Sequence, residues 1–157
     1  KTELWNGTNW TEVNDLNTAR DFLAGAGTTT AGLAFGGENN QNDPSTTAVT
    51  ESWNGTNWTE VNDLNTARGQ LAGDGTQTSA LGFGGYTAPS PGFKALTESW
   101  NGTNWTEVSD LTAATSRLAG AGASNTSALA FGGLAPSSTA KTEIWSAGPV
   151  TATIGTS

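Results

Sequence analysis

Histidine, cysteine and methionine are all missing from this 157-residue chain, and lysine plus arginine number only six. Each absence closes a class of function. Without His or Cys, the usual nucleophile–base pairs and most transition-metal sites cannot be assembled. Without Cys there is no disulfide framework, and the redox compartment stays open. Six basic residues against 14 acidic ones leave a net charge of −8. A general nucleic-acid binder needs Lys and Arg to neutralise phosphates, so no nucleic-acid partner is expected. No apolar run approaches the ~20 residues of a membrane-spanning helix, and no leader pattern is present. The missing Met and the start at Lys1, inside a repeat, are expected of a processed product, an excised piece or an incompletely determined chain.

What is present is repetition. TESWNGTNWTEVNDLNTAR at 50–68 stands almost unchanged at 2–20, with Leu4 in place of Ser52. It returns as TESWNGTNWTEVSDL at 97–111 and as TEIW at 142–145. The leading Trp residues, Trp5, Trp53, Trp100 and Trp145, lie roughly 45–48 residues apart, a spacing of blade-type and solenoid architectures. Seven Trp and five Phe supply large apolar groups to a chain that is otherwise Thr, Asn, Ser and Gly, which fits short strands joined by turns.

Within one unit, Asn-Gly between two Trp segments signals a hairpin (Asn6-Gly7, Asn54-Gly55, Asn101-Gly102), because both residues tolerate positive φ. LAGAG and its copies read as a strand of small residues, where another backbone comes close. Leu33/Phe35, Leu81/Phe83 and Leu129/Phe131 place a large face on the next strand, which ends in Gly36-Gly37, Gly84-Gly85 and Gly132-Gly133. Variable connectors follow at 38–49, 86–96 and 134–141. The unit therefore reads as inner strand, Gly-Gly strand, connector, Trp strand, hairpin and second Trp strand. Strands are expected near 2–6, 9–13, 21–28, 30–36, 47–53, 57–61, 69–76, 79–84, 95–100, 104–108, 116–123, 127–132 and 140–145, with no long helix. Trp10, Trp58 and Trp105, with the three Leu/Phe pairs, are expected to be interior.

A Gly-Gly doublet after an apolar strand, then an acid beside an aromatic, then Trp, then Arg, resembles the kelch repeat. In one unit the matching residues are Gly36-Gly37, Glu51, Trp53, Trp58 and Arg68. Trp53 stands where kelch repeats usually carry Tyr, and in the third copy the Arg20 and Arg68 position is Thr115, with Arg117 two residues later. The resemblance implies an all-β propeller of four-stranded antiparallel blades, with about three and a half repeats over 1–157 as a single domain or part of one. The approximate units are 1–19, 20–67, 68–114 and 115–157. WNGTNWTEV also resembles kelch-like repeat proteins of marine tailed phages, which implies a virion or fibre component at a virion or extracellular surface.

Function is expected to be non-catalytic, a structural or adhesive module with no cofactor and no bound metal. The expected partners are other copies of the chain or other assembly proteins; a lectin-like propeller binding surface glycans is the alternative. Asp15, Asp63 and Asp110 read as caps of the NDL corner rather than calcium ligands, since the turn lacks a dense alternation of oxygen donors. The corners and the variable connectors are expected on one side of the ring and the Asn-Gly hairpins on the other. The candidate binding residues of the first side are Asp15, Arg20, Asp63, Arg68, Asp110, Arg117, Asn40, Asp43, Tyr86 and Phe93. Three inner pairs and at most four outer pairs fall short of closure, so a lone closed monomer is not expected; closure is expected either from further repeats upstream of Lys1 in a parent chain or from association of copies.

Overall fold

The computed structural model describes residues 1–39, 45–88 and 92–147. Among them thirteen strands form four antiparallel sheets, with no helix and therefore none long and apolar enough to cross a membrane. β1 (Thr2–Trp5) and β2 (Trp10–Val13) make an N-terminal hairpin. β3 (Ala24–Thr28), β4 (Ala31–Phe35), β5 (Thr50–Trp53) and β6 (Trp58–Val61) form a full sheet in that order. β7 (Ala72–Thr76), β8 (Ser79–Phe83), β9 (Thr97–Trp100) and β10 (Trp105–Val108) form a second. β11 (Ala119–Ser124), β12 (Ser127–Phe131) and β13 (Thr142–Ser146) make a three-stranded last sheet. The strand order of the two full sheets is the one the repeat predicts, and the arrangement is compatible with a propeller-like fold.

Local chemistry explains the joints. In each Trp hairpin the Asn6, Asn54 or Asn101 side-chain oxygen accepts backbone N–H bonds from the residues two and three further on, at 2.8–2.9 Å. The Trp pair flanks a four-residue loop rather than a two-residue turn, in the register Trp5↔Trp10, Trp53↔Trp58 and Trp100↔Trp105. The inner strands begin at 24, 72 and 119, three residues later than expected. Phe22, Gln70 and Arg117 take left-handed φ values of 50–55° there and break the pleat.

Neighbouring sheets meet through small residues. A Cβ on Gly73 would stand 2.6 Å from the Phe35 ring and 2.9 Å from the Gly25 carbonyl oxygen, and one on Gly82 would stand 2.9 Å from the same ring. Only glycine lets Phe35 lie flat across the next sheet while the inner backbones touch. Phe35 then meets Trp105 with ring centroids 4.8 Å apart. Two clusters result, one around Phe35, Leu71, Trp100 and Trp105, the other around Leu81, Phe83, Ala128 and Ala130.

The expectation that all repeated aromatics are interior fails at the two ends. Trp105 is 5 % exposed, Trp58 is half-buried, and Trp10 is 63 % exposed. Phe35 and Phe83 are buried, whereas Phe131 and Leu129 are each 39 % exposed. The cause is the missing neighbour: Trp105 has Phe35 of the preceding sheet against it, and no earlier described sheet offers a Phe to Trp58 or Trp10.

The separation of corners from hairpins also fails at the outer edge. Asn14 Nδ2, just past β2, donates to Thr56 O at 3.0 Å and Asn57 Oδ1 at 2.7 Å, and Asn62 repeats this with Thr103 and Asn104. The second and third hairpins thus reach the corner of the preceding sheet, an approach that strand twist from inner to outer edge permits. The connector and corner do share one side: Leu64 N donates to Ala48 O at 3.0 Å and Arg68 N to Thr47 O at 3.2 Å.

Candidate functional site

The corner that follows each second Trp strand concentrates the charged residues. Its Asp works on the backbone. Thr2 N donates to Asp15 Oδ1 at 2.7 Å, Thr50 N to Asp63 Oδ1 at 3.0 Å, and Thr97 N to Asp110 Oδ1 at 3.0 Å. Each carboxylate satisfies the first amide of the Trp strand beside it, as a cap does.

Arg20 and Arg68 are turned inward, and neither side chain has exposed surface. Arg68 Nη2 bonds Glu98 Oε1 at 3.2 Å and Gly82 O at 3.1 Å, while Nη1 bonds Gly84 O at 2.9 Å and also reaches Leu96 O. Glu98 in turn accepts Asn65 N at 2.7 Å, Asn65 Nδ2 at 2.9 Å and Thr66 N at 3.3 Å. Arg20 and Glu51 repeat the arrangement with Asn17 and Thr18. The pair clamps a corner to the Trp strand of the next sheet. Burial pulls Arg68 below the ordinary guanidinium value, opposed by Glu98, Asp110 and Glu107. Burial would raise the Glu51 carboxyl, but the Asn17 amide, Arg20, the Asn17 side chain and the Thr18 amide outweigh it and hold it below the ordinary value. Neither Arg offers surface to a ligand. In the last sheet Glu143 accepts only Thr112 N and Oγ1, each at 2.8 Å, and no Arg joins them.

Arg117 belongs to a different row. Aligned on the small-residue strand, it occupies the position of Gln70 and Phe22. Gln70 N donates to Phe22 O and Arg117 N to Gln70 O, both at 2.8 Å, so these residues form a continuous rim across three sheets. Phe22 is exposed, and its counterparts carry unlike chemistry. Gln70 Nε2 bonds Glu38 Oε1 at 2.8 Å, and Arg117 Nε bonds Gln70 Oε1 at 2.9 Å. Tyr86, in the register position of Glu38, meets Phe93 edge-on with centroids 5.9 Å apart, both half-buried. Asn40 and Asp43 lie outside the described residues.

The structure therefore divides the ten predicted residues. Arg117, Tyr86 and Phe93 border the rim, whereas the three Asp and the two remaining Arg hold corners together. Sequence reasoning missed Phe22, Gln70 and Glu38. The available signal was three unlike residues at one position of otherwise near-identical repeats. Backbone in the left-handed region at all three, none of them Gly, is a cost that functional positions commonly carry. Among the described residues no group of three or more carboxylates is placed to hold a metal ion. No protein-family model matches the chain, and no curated protein is significantly similar to it.

Proposed function

We propose that the chain is a kelch-like propeller module, non-catalytic, serving as a structural or adhesive part of a larger assembly of the virion or fibre kind. The observation that supports it most is the contrast between scaffold and rim. Clamps, caps and hairpins are repeated almost word for word, while Phe22, Gln70 and Arg117 differ at one repeated position on one connected edge. A rigid frame displaying unlike side chains is how recognition surfaces are built on loop positions. The absence of His and Cys removes the common catalytic pairs and points the same way.

A lectin-like reading draws on the Tyr86–Phe93 pair beside Glu38 and Gln70, an aromatic face next to polar groups of the sort a sugar takes. The test displays the chain on beads against purified tail and fibre proteins of tailed phages and, separately, on a glycan array. Saturable protein binding that disappears in the triple variant Phe22→Ala, Gln70→Ala, Arg117→Ala is expected. Saturable glycan binding lost on Tyr86→Ala moves the conclusion to the lectin; binding indifferent to both variants sinks both.

A further inference from the structure

We infer that two copies of the chain join by exchanging their N-terminal hairpins, so that β1–β2 of each copy completes β11–β12 of the other. The template is the chain's own internal seam, where three contacts recur between consecutive sheets. The Phe of the Gly-Gly strand lies over glycine of the next inner strand: Phe35 over Gly73, Phe83 over Gly120. The outer Trp donates its indole N–H to the Thr that opens the preceding Trp strand: Trp58 to Thr2 and Trp105 to Thr50, both at 3.1 Å. The Glu of each Trp strand takes amides from the preceding corner: Glu51 from Asn17, Glu98 from Asn65 and Glu143 from Thr112.

Each end of the chain carries one half of this seam. At the C-terminal end, Phe83 and Thr97 border a small cavity of about 40 Å³ with Ala128, Ile144 and Trp145. No described Trp donates to Thr97, and Val150 stands at the outer-Trp position of that repeat. At the N-terminal end, Trp10 is the most exposed Trp of the chain, with a tilted contact to Trp5. Phe131 projects from β12 with 39 % of its surface exposed. Its seat in the repeat is Gly25, which has no ring over it and lines a groove of about 1150 Å³ with Ala24, Ala34 and Trp58. Glu3, the counterpart of Glu51 and Glu98, is exposed, and its carboxylate has no hydrogen bond to any described residue. Among the described residues, Trp10 and Phe131 each have an unfilled place at the opposite end, and the place of Glu3 is held by Glu143.

Joining them requires β1 to take the place of β13. The two strands read TELW and TEIW, so β12 keeps equivalent backbone partners. Such an exchange of equal elements is a low-cost route to association. β13 brings one strand, whereas β1 brings β2 with it and supplies the fourth strand absent from the described last sheet. Trp10 then falls against Phe83 with its N–H on Thr97, Glu3 takes over the Thr112 bonds of Glu143, and Phe131 of the other copy settles on Gly25 beside Trp58. Each copy contributes three inner and three outer pairs. Closed propellers hold about 4–8 sheets, and two copies of the 157-residue chain together supply six. The number of copies rests on the propeller reading; the seam does not.

The test is light scattering on the 157-residue chain at micromolar concentration, after unfolding and refolding to allow exchange. A mass of two chains is expected. Trp10→Glu and Phe131→Glu change side chains already exposed in one chain, and each is expected to give single-chain mass with an unchanged far-ultraviolet spectrum. Refolding the two variants together recovers the two-chain mass, because one seam then has both halves intact. Leu4 of one copy is placed opposite Leu129 of the other, where Ile144 now pairs. In the Leu4→Cys, Leu129→Cys variant, oxidation is expected to yield a covalent two-chain band. Single-chain mass for the parent chain, a mass of three or more, a two-chain mass indifferent to Trp10→Glu, or no cross-link in a two-chain species overturns the proposal. Rim binding is a separate readout, so loss of the propeller-module reading and loss of the seam are told apart.

Discussion

The second full sheet and the N-terminal hairpin are written in nearly the same residues and sit in opposite surroundings. Trp100 and Trp105 are buried, while Trp5 and Trp10, in the identical hairpin sequence, face outward. Both pairs keep the same ring geometry, with centroids 5.3 and 5.5 Å apart and planes tilted by 43° and 44°. Local structure is thus set within the repeat, and burial is set by the repeat before it. The same holds for charge: the Glu98 carboxylate is enclosed by Arg68 and Asn65, whereas that of Glu143 has only Thr112 and that of Glu3 has no hydrogen bond to a described residue. In repeat proteins stability resides largely in interfaces between neighbours, so the ends are expected to be the weakest parts.

Removing the central clamp should give the largest effect. Arg68→Ala leaves Glu98 buried without its cation and the Gly82 and Gly84 carbonyls without a donor, a loss of about 3–5 kcal/mol. Glu143→Ala removes bonds at an exposed edge and should cost about 1 kcal/mol or less. Urea unfolding of both variants decides the matter; equal losses would show that the centre and the end are not different.

A related contrast uses the Phe row. Phe35→Ala empties a site with no exposed surface and should cost about 3–5 kcal/mol. Phe131→Ala, starting from a ring partly in water, should cost less than half as much in dilute chain. Raising the protein concentration should widen the Phe131→Ala loss if the ring is covered by a second copy, and leave the Phe35→Ala loss alone.

These contrasts also locate what the sequence could reveal. Strand order, the Gly-Gly stops and the Asn-Gly hairpins were legible because a period repeated three times turns a weak local signal into a pattern. Burial of Trp10 was misread because identical sequence says nothing of which copy has a neighbour. Arg20 and Arg68 read as surface charge, since no spacing announces a backbone cradle assembled from Gly82, Gly84 and Leu96. Arg117 was grouped with them by residue type, although alignment on the small-residue strand already sets it beside Gln70 and Phe22.

The clamp carries a pH dependence of definite sign. Glu51 binds its proton less readily in the folded chain than its ordinary value of 4.5. The unfolded chain therefore takes up the proton first as pH falls. The stability due to this carboxylate is fully present above about pH 4.5 and is lost as pH drops through the lower folded value. Glu51→Gln should lower stability at neutral pH and flatten the decline in acid. A variant as acid-sensitive as the parent chain would remove the clamp from the account.

The smallest expected effect has the opposite sign. Asp74 stands on an inner strand where Ala26 and Ala121 occupy the same position, and it is the one acid in that row. It is buried; Gly75 N donates to its Oδ1 at 2.6 Å, and a Cβ on Gly122 of the next inner strand would fall 2.0 Å from its Oδ2. Burial raises its carboxyl above the ordinary value of 3.8, against the opposing pull of the Gly75 and Gly122 amides. The folded chain thus holds this proton more firmly than the unfolded chain. Its favourable contribution exists below about pH 3.8 and turns into a cost as pH rises through the folded value. Asp74→Ala restores the residue of the sister repeats, removes a buried charge and keeps the small size the inner row requires. A gain of about 0.5–1 kcal/mol at pH 7 is expected. The gain should disappear near pH 3, where Asp74 is neutral in both states. Chemical unfolding at the two pH values measures it. A loss at pH 7 would mean that the Gly75 and Gly122 amides favour the Asp74 carboxylate more strongly than burial opposes its charge.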